Sequence, residues 1–287
     1  GLLFISHAKG YPAAERLDAA ETDYVSGKRA MEALFQGTVD VVNTADVPAV
    51  LESFERDDFR IVAAIGTCDN EQRVVARRDR GIARPADLRG KTIATQKGSA
   101  VHFFLHLFLL KNGMSEKDVE IQFLKAEDLA PALAEGRVDA FSMREPYISL
   151  ARQALGDSAV VFAAPGLYRR AELLIVRRSV LEERPEAVAA LFRALTRAEE
   201  VVRRDPKAAQ EMIAARLGVT SAEFHEIWNC SVYRVGLEQS LLLQLEDVAR
   251  WAIANGLTET REMPNYLRFL DARAVEKVAP ESVTLIR

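Results

Sequence analysis

A chain of 287 residues is long enough for one or two domains with a sizeable core. With 49% apolar and 28% charged residues it has the composition of a soluble globular protein, and a net charge of -4 gives no whole-protein attraction to nucleic acid. No apolar run reaches the ~18–20 residues of a membrane span; the longest, Val101 to Leu110, is broken by His102 and His106 and reads as a buried helix.

The chain opens abruptly at Gly1 on LLFISHAKGY with no signal peptide in view, which points to a trimmed start. Short β-like apolar runs follow at Val39–Asn43, Ile61–Ile65, Thr92–Thr95, Val119–Phe123, Val138–Ser142, Val160–Ala163 and Leu173–Val176. Helical patterns lie between them at Lys28–Phe35, Ala100–Asn112 and Leu129–Glu135. Ser26 and Ser99 stand where N-caps belong, and Gly37, Gly113 and Gly136 where helices stop. Alternating strands and helices predict βαβ units and parallel sheets. Beyond residue 178 the pattern turns helical, over Glu182–Arg203, Pro206–Leu217, Ser221–Trp228, Glu238–Asn255 and Met263–Leu270.

One segment is echoed. Residues 26–48 and 125–147 align at a spacing of 99, which brings Ala33, Leu34, Gly37, Val39 and Asp40 onto Ala132, Leu133, Gly136, Val138 and Asp139. Asp46 and Glu145 fall at the same offset, each with a proline close behind. Both copies spell an amphipathic helix, a glycine stop, a short buried strand and a polar turn. Two such units predict two similar α/β lobes with a ligand cleft. RPADLRGKTIA (84–94) reads as the entry to the second lobe and AELLIVRRSV (171–180) as the return. The expected lobes are residues 1–76 with 176–287, and 77–173, joined by a two-stranded hinge near 74–76 and 173–176. An inserted lobe is a topology that lets a cleft close.

HAKGY (7–11), VSGKRAMEAL (25–34), GTVDVV (37–42), RPADLRGKTIATQKGSAVHFFL (84–105), KNGMSEKDVEI (111–121), GRVDAFSMREPY (136–147) and VRRSVLEERPEAVAALFRAL (176–195) follow in a characteristic order. Their order and spacing resemble the solute-binding proteins of ABC importers, in the nitrate/sulfonate/taurine and thiamine-pyrimidine group. The resemblance covers about residues 2–256. It implies a two-lobed type II periplasmic-binding-protein fold, α/β with parallel-rich sheets and a helical C-terminal region. It also implies a small ligand between the lobes, a membrane permease as partner, a monomer, and a periplasmic or cell-surface location. The first strand of that fold precedes the segment matching LLFISHAKGY. No metal, cofactor or nucleic acid is implied.

Ligands of parallel α/β sheets sit outside the carboxyl ends of the strands, which selects a few loops. Ser26-Gly27-Lys28, read as lying between a strand and a helix, offers free N–H groups, a helix N-terminus and a cation to an anion; a plain N-cap with a solvated lysine is the other reading. Gly98-Ser99-Ala100, with Lys97, is the counterpart before helix 100–112, where small residues allow close backbone approach. Neither is a phosphate-binding P-loop. Asp46 and Glu145 read as paired carboxylates, as partners for a ligand amine or for Arg144 or Lys28, or as helix N-terminal charges, the plainer reading for Asp46. Match to a WEPY-like segment puts Glu145 at the cleft, with Arg144 where that segment has an aromatic.

His7, with Lys9, is expected on the first loop as a ligand donor. His102 and His106 have the i,i+4 spacing of metal ligands, but their apolar neighbours favour packing; His102, beside Ser99, remains a cleft candidate. Cys68 follows strand 61–65 and reads as a small buried residue more than as a nucleophile, but its loop faces the expected cleft and keeps it a ligand-contact candidate. With only Cys230 as a second cysteine there is no disulfide framework, though one bridge is possible. Tyr233, with Trp228 and Arg234, reads as an aromatic wall with a cation or as core.

A non-catalytic binding protein for a small polar, anionic or amphoteric organic solute is the leading expectation, with no catalytic residue. Two alternatives stand beside it. One is an enzyme of the thiamine-pyrimidine kind using His7, Lys28 or Lys97; the other is the ligand-binding input domain of a membrane sensor.

Overall fold

A computed structural model describes residues 1–24 and 26–286, the side chains of Ala222 and Glu223 excepted. Val25, in the matched VSGKRAMEAL segment, and Arg287, at the end of the expected first lobe, lie outside the described residues.

The chain begins with helices α1 (Leu2–Ala8), α2 (Tyr11–Ala14) and α3 (Gly27–Gln36), then β1 (Val41–Ala45), α4 (Asp46–Ser53) and β2 (Phe59–Cys68). It continues through β3 (Arg73–Arg77), β4 (Thr92–Thr95), α5 (Ala100–Lys111), β5 (Glu120–Phe123), α6 (Ala126–Ala134), β6 (Ala140–Met143), α7 (Tyr147–Leu155) and β7 (Ala159–Ala163). Strand β8 (Arg170–Arg177) leads into α8 (Arg178–Glu183), α9 (Pro185–Arg204), α10 (Pro206–Leu217) and α11 (Ser221–Cys230). A two-residue strand β9 (Ser231–Val232), α12 (Gln239–Ala254) and α13 (Arg273–Val278) complete it.

Two compact units result. Unit 1 holds Gly1–Cys68 and the chain from Arg170 on; unit 2 is Asp69–Arg169. The unit 1 sheet has the order β1-β8-β2-β9, and every neighbouring pair is antiparallel. The sheet is not parallel, because the returning strand β8 enters between β1 and β2 and runs against both. Unit 2 has the order β5-β4-β6-β3-β7, with β4 parallel to β5 and β6 and β3 antiparallel to β6 and β7. The unit 1 sheet is thus antiparallel and the unit 2 sheet mixed, rather than parallel-rich.

Each sheet carries its own core. In unit 1, Val62, Ile65, Leu174 and Val176 pack with Leu2 and Ile5 of α1 and Phe192 and Leu195 of α9. In unit 2, Val75, Ala94 and Phe141 pack with Val101 of α5 and Leu129 and Leu133 of α6. Burying each such side chain stabilises by roughly 1.5–3 kcal/mol, so each unit is held mainly by the faces its helices share with its sheet.

The echo folds as the same path twice: α3, β1, α4 in unit 1 and α6, β6, α7 in unit 2. Gly37 and Gly136 follow α3 and α6 with positive φ, as stops. The expected hinge strands are not at the crossings, which fall at Cys68/Asp69 and Arg169/Arg170. Val74–Ala76 pair with β6 and β7 inside the unit 2 sheet, and Leu173–Val176 pair with β1 and β2 inside the unit 1 sheet. Their β-type residues mark sheet interiors.

Three more expectations change. The helix expected over 182–203 breaks at Arg184, since Pro185 lacks an N–H and opens α9 instead. Residues 263–270 form only a 3₁₀ turn, Tyr266–Arg268, started by the Asn265 side chain accepting from Leu267 N at 3.1 Å. Among the described residues no strand precedes Ser26: the run at 17–24 has no helix or strand. Among the described residues no helix is long and apolar enough to cross a membrane.

Candidate functional site

The registers bring the expected site residues of unit 2 to one end of its sheet. Thr92–Thr95 of β4 run alongside β5 and β6, so all three end together, and Arg73, the first residue of β3, lies opposite Met143, the last of β6. This carboxyl end carries the loop 96–99 into α5 and the turn 144–146 into α7. The Ser142 hydroxyl donates to Val101 O at 2.8 Å, tying β6 to the first turn of α5.

Ser99 is the N-cap of α5. Its hydroxyl accepts from His102 N at 3.4 Å and donates to Gln96 O at 2.7 Å. Gly98 takes φ +63°, a conformation that strains a side chain, and its N–H donates to His102 Nδ1 at 3.3 Å. Ala100 is buried as the first residue of α5. At the neighbouring turn, Arg144 lies 3.7 Å from Glu71, and Glu145 accepts from Ser149 N at 3.0 Å. Glu145 therefore serves the start of α7, the helix-terminal reading.

His102 is not a ligand donor at this end. Its side chain is 1% exposed, edge-on to Phe123, with Nδ1 engaged by Gly98 and Nε2 3.4 Å from Glu116. His106 Nδ1 lies 3.0 Å from the other Glu116 oxygen. Among the described residues no group of three or more His, Cys, Asp or Glu could hold a metal.

Unit 1 has a matching end. Ala45, the last residue of β1, lies opposite Glu172, and Cys68, the last of β2, lies opposite Arg170, so β1 and β2 finish beside the start of β8. Ser26 caps α3, its hydroxyl accepting from Arg29 N at 3.3 Å, and Lys28 is exposed in the first turn. Gly27 is needed for close approach: a Cβ there would lie 2.0 Å from Thr44 Oγ1. Thr44 is 6% exposed, and its hydroxyl has no partner among the described residues. A buried hydroxyl against the start of a helix, where N–H groups lack intrahelical partners, suits an oxyanion.

Asp46 opens α4, fully buried. It accepts from Val47 N at 2.8 Å and from the Gln244 side chain of α12. This is a structural role, as the plainer reading expected. Cys68 is bonded to Cys230 and buried, so it offers no thiol to a ligand. Tyr233 packs against Trp228 at 5.3 Å beside the unit 1 core, while Arg234 faces Glu238 at 3.5 Å. The Trp228–Tyr233 pair is partly buried and packs against that core. His7 is not on a loop but in the last turn of α1, with Nδ1 3.6 Å from Glu21. Gly1, at the other end of α1, lies 3.9 Å from Glu172, and the helix rise places His7 about 9 Å along the axis from Gly1.

Two residues at these ends escaped the sequence reading. Thr44 reads as an ordinary strand residue, and only the Thr-Ala-Asp turn that follows hints at it. Gln72 stands just before β3, 2% exposed, with an amide nitrogen unpartnered among the described residues. A polar residue ahead of a strand carries no signal of burial.

The NMT1/THI5-like family model matches residues 2–209. The chain belongs to the NMT1/THI5-like family. A protein of Escherichia coli (strain K12) named for binding aliphatic sulfonates is 29% identical over 129 residues, 45% of this chain and 40% of that protein. The chain thus spans under half the length of that family relative. Among solved structures, the alkanesulfonate-binding protein SsuA of Xanthomonas axonopodis pv. citri, bound to MOPS, has a TM-score of 0.79 at 21% identity, covering 94% of each chain. The desulfurization enzyme DSZB has a TM-score of 0.68 at 18% identity, covering 98% of this chain and 96% of that one. These likenesses show the α/β type II periplasmic-binding-protein fold with a helical C-terminal region.

Proposed function

We propose that this protein is the extracytoplasmic solute-binding component of an ABC importer, taking a small anionic or amphoteric organic solute, with sulfonates the first class to test. The observation that carries the reading is the pair of serine-capped helix starts, at α3 and α5, each at the carboxyl end of its own sheet. Lys28 and Lys97 stand in those segments and add positive charge to the helix termini. Ser26, Gly27 and Thr44 are the candidate contacts of unit 1 and Ser99 and Ala100 those of unit 2, with Gln72, Arg144 and Glu145 as candidates for selectivity. The relative named for aliphatic sulfonates and the MOPS-bound SsuA support the solute class.

The Cys68–Cys230 disulfide supports an oxidising, extracytoplasmic compartment. A membrane permease is the expected partner and a monomer the expected state. Catalysis is the second reading, favoured by the fold shared with DSZB; His7, Lys28 and Lys97 are its candidates.

Native mass spectrometry of the purified protein, before and after denaturation, tests the proposal. An organic anion released on unfolding supports it. A mass increase that survives denaturation supports catalysis instead. A protein that neither carries nor is stabilised by any member of a broad anion and pyrimidine screen contradicts it.

A further inference from the structure

Up to its terminal Lys111, helix α5 is apolar except for two histidines one turn apart, His102 and His106, and both face one carboxylate, Glu116. The Glu116 side chain is itself largely buried. Because the Gly98 N–H donates to His102 Nδ1, that nitrogen carries no hydrogen, and the imidazole proton sits on Nε2, which faces Glu116. The hydrogen-bond network assigns this tautomer. The same assignment argues against metal binding through Nε2, which must be bare to ligate. Phe123 packs on the ring, and Lys97 lies 5.6 Å from the Phe123 centroid.

We propose that His102 is a positioning residue: it receives the Gly98 N–H, Glu116 holds the imidazole, and the pair fixes loop 97–100 in the shape that takes the solute. This rests on the reading above, that loop 97–100 meets the solute. It also deepens it. With the Gly98 N–H engaged by the imidazole and the Ser99 hydroxyl donating to Gln96 O, neither is offered to the solute. Backbone N–H groups of the first turn of α5, which have no intrahelical acceptor, are left to bind it. An anion read by the main chain is recognised by charge and shape rather than by a side-chain donor.

Titration calorimetry with ethanesulfonate and taurine, combined with amide exchange at Gly98, tests the assignment on the whole protein. His102→Leu removes both polar atoms; losing one loop-holding hydrogen bond raises Kd by up to about tenfold. Gly98 exchange accelerates, while Ala94 and Phe141 in the strands stay protected. His102→Gln can accept from Gly98 and donate to Glu116, and restores both Kd and slow exchange. If His102→Leu does not fold, Glu116→Leu removes the anchor without touching α5, and the same faster exchange and weaker binding are expected.

Wild-type binding with an unchanged Kd in His102→Leu, or a His102→Gln variant as weak as His102→Leu, overturns the positioning role and leaves the solute-binding reading standing. A wild type that binds no small sulfonate or carboxylate overturns both.

Discussion

Asp46 and Glu145 stand 99 positions apart, at the same place in two copies of one helix–stop–strand–helix segment. In unit 1 the carboxylate is buried under α12 and held by Gln244; in unit 2 it is half-exposed and accepts from the backbone N–H of Ser149. The neighbouring pair diverges in the same way. Asp40 is gripped by Arg177 at 2.6 Å and by Arg184 at 2.5 Å, while Asp139 accepts from Thr92 N at 3.0 Å. The repeated sequence dictates a backbone path. Partners from outside the repeat decide what each side chain does, and unit 1 has more of them.

The disulfide belongs to unit 1, and losing it is the largest expected effect. It closes a separation of 162 residues, for which chain entropy gives ~5 kcal/mol and native bridges typically ~2–5. Both tryptophans, Trp228 and Trp251, also lie in unit 1, so their fluorescence follows that unit. Reduction, or Cys68→Ala with Cys230→Ala, lowers the unfolding free energy by that amount and moves the fluorescence-detected urea midpoint down in proportion. An unmoved midpoint breaks the view that unit 1 is the more heavily braced.

Next comes the carboxylate pair itself. Asp46→Ala strands the Gln244 amide in a buried position and costs about 2–3 kcal/mol. Glu145→Ala removes only a half-exposed helix-start acceptor and costs about 0.5–1 kcal/mol. Equal losses in chemical denaturation would show the two copies to be equivalent after all.

The first residues of α3 and α6 sharpen the contrast, since Gly27 echoes as Ala126. A Cβ on Gly27 meets the Thr44 hydroxyl, so Gly27→Ala costs roughly 1–3 kcal/mol through overpacking. Ala126→Gly costs no more than about 1 kcal/mol. Thr44→Ser combined with Gly27→Ala checks the cause: if the contact is responsible, trimming the methyl while keeping the hydroxyl does not rescue stability, whereas Thr44→Ala does.

The smallest effect is electrostatic. The hydrogen bond from Arg184, then that from Arg177, outweighs partial burial and holds the Asp40 carboxyl below the ordinary carboxylate value. A depressed value means its contribution is present at neutral pH and is lost as pH falls below about 4 through the folded-state value. Solvent exposure keeps it within ~1 kcal/mol. The stability gap between wild type and Asp40→Asn is therefore widest near pH 7 and closes in acid; a gap that widens in acid contradicts the ion-pair account.

Local structure was legible where short-range chemistry sets it. Thr92–Thr95 is a strand with those bounds, and Ser26 and Ser99 cap α3 and α5 as their hydroxyls require. Long-range pairing was not legible. Nothing in Leu173–Val176 says that it lies between β1 and β2, so antiparallel neighbours replaced the expected parallel ones and the crossings moved. The site divides the same way. Loops at strand ends were found from pattern, but the partners that decide roles are remote in sequence: Gln244 for Asp46, Glu116 for His102, Cys230 for Cys68. His7 was misplaced because HAKGY reads as a loop through Gly10, while α1 runs to Ala8.

The central claim is that binding of a small organic anion depends on the serine-capped helix starts. Isothermal titration of protein that has been unfolded, stripped and refolded, against a panel of small sulfonates and carboxylates, tests it most directly with Lys28→Glu and Lys97→Glu alongside the wild type. The account predicts one-to-one saturable binding of at least one anion by the wild type, weakened by each charge reversal. Binding indifferent to both reversals, or none across the panel, would contradict it.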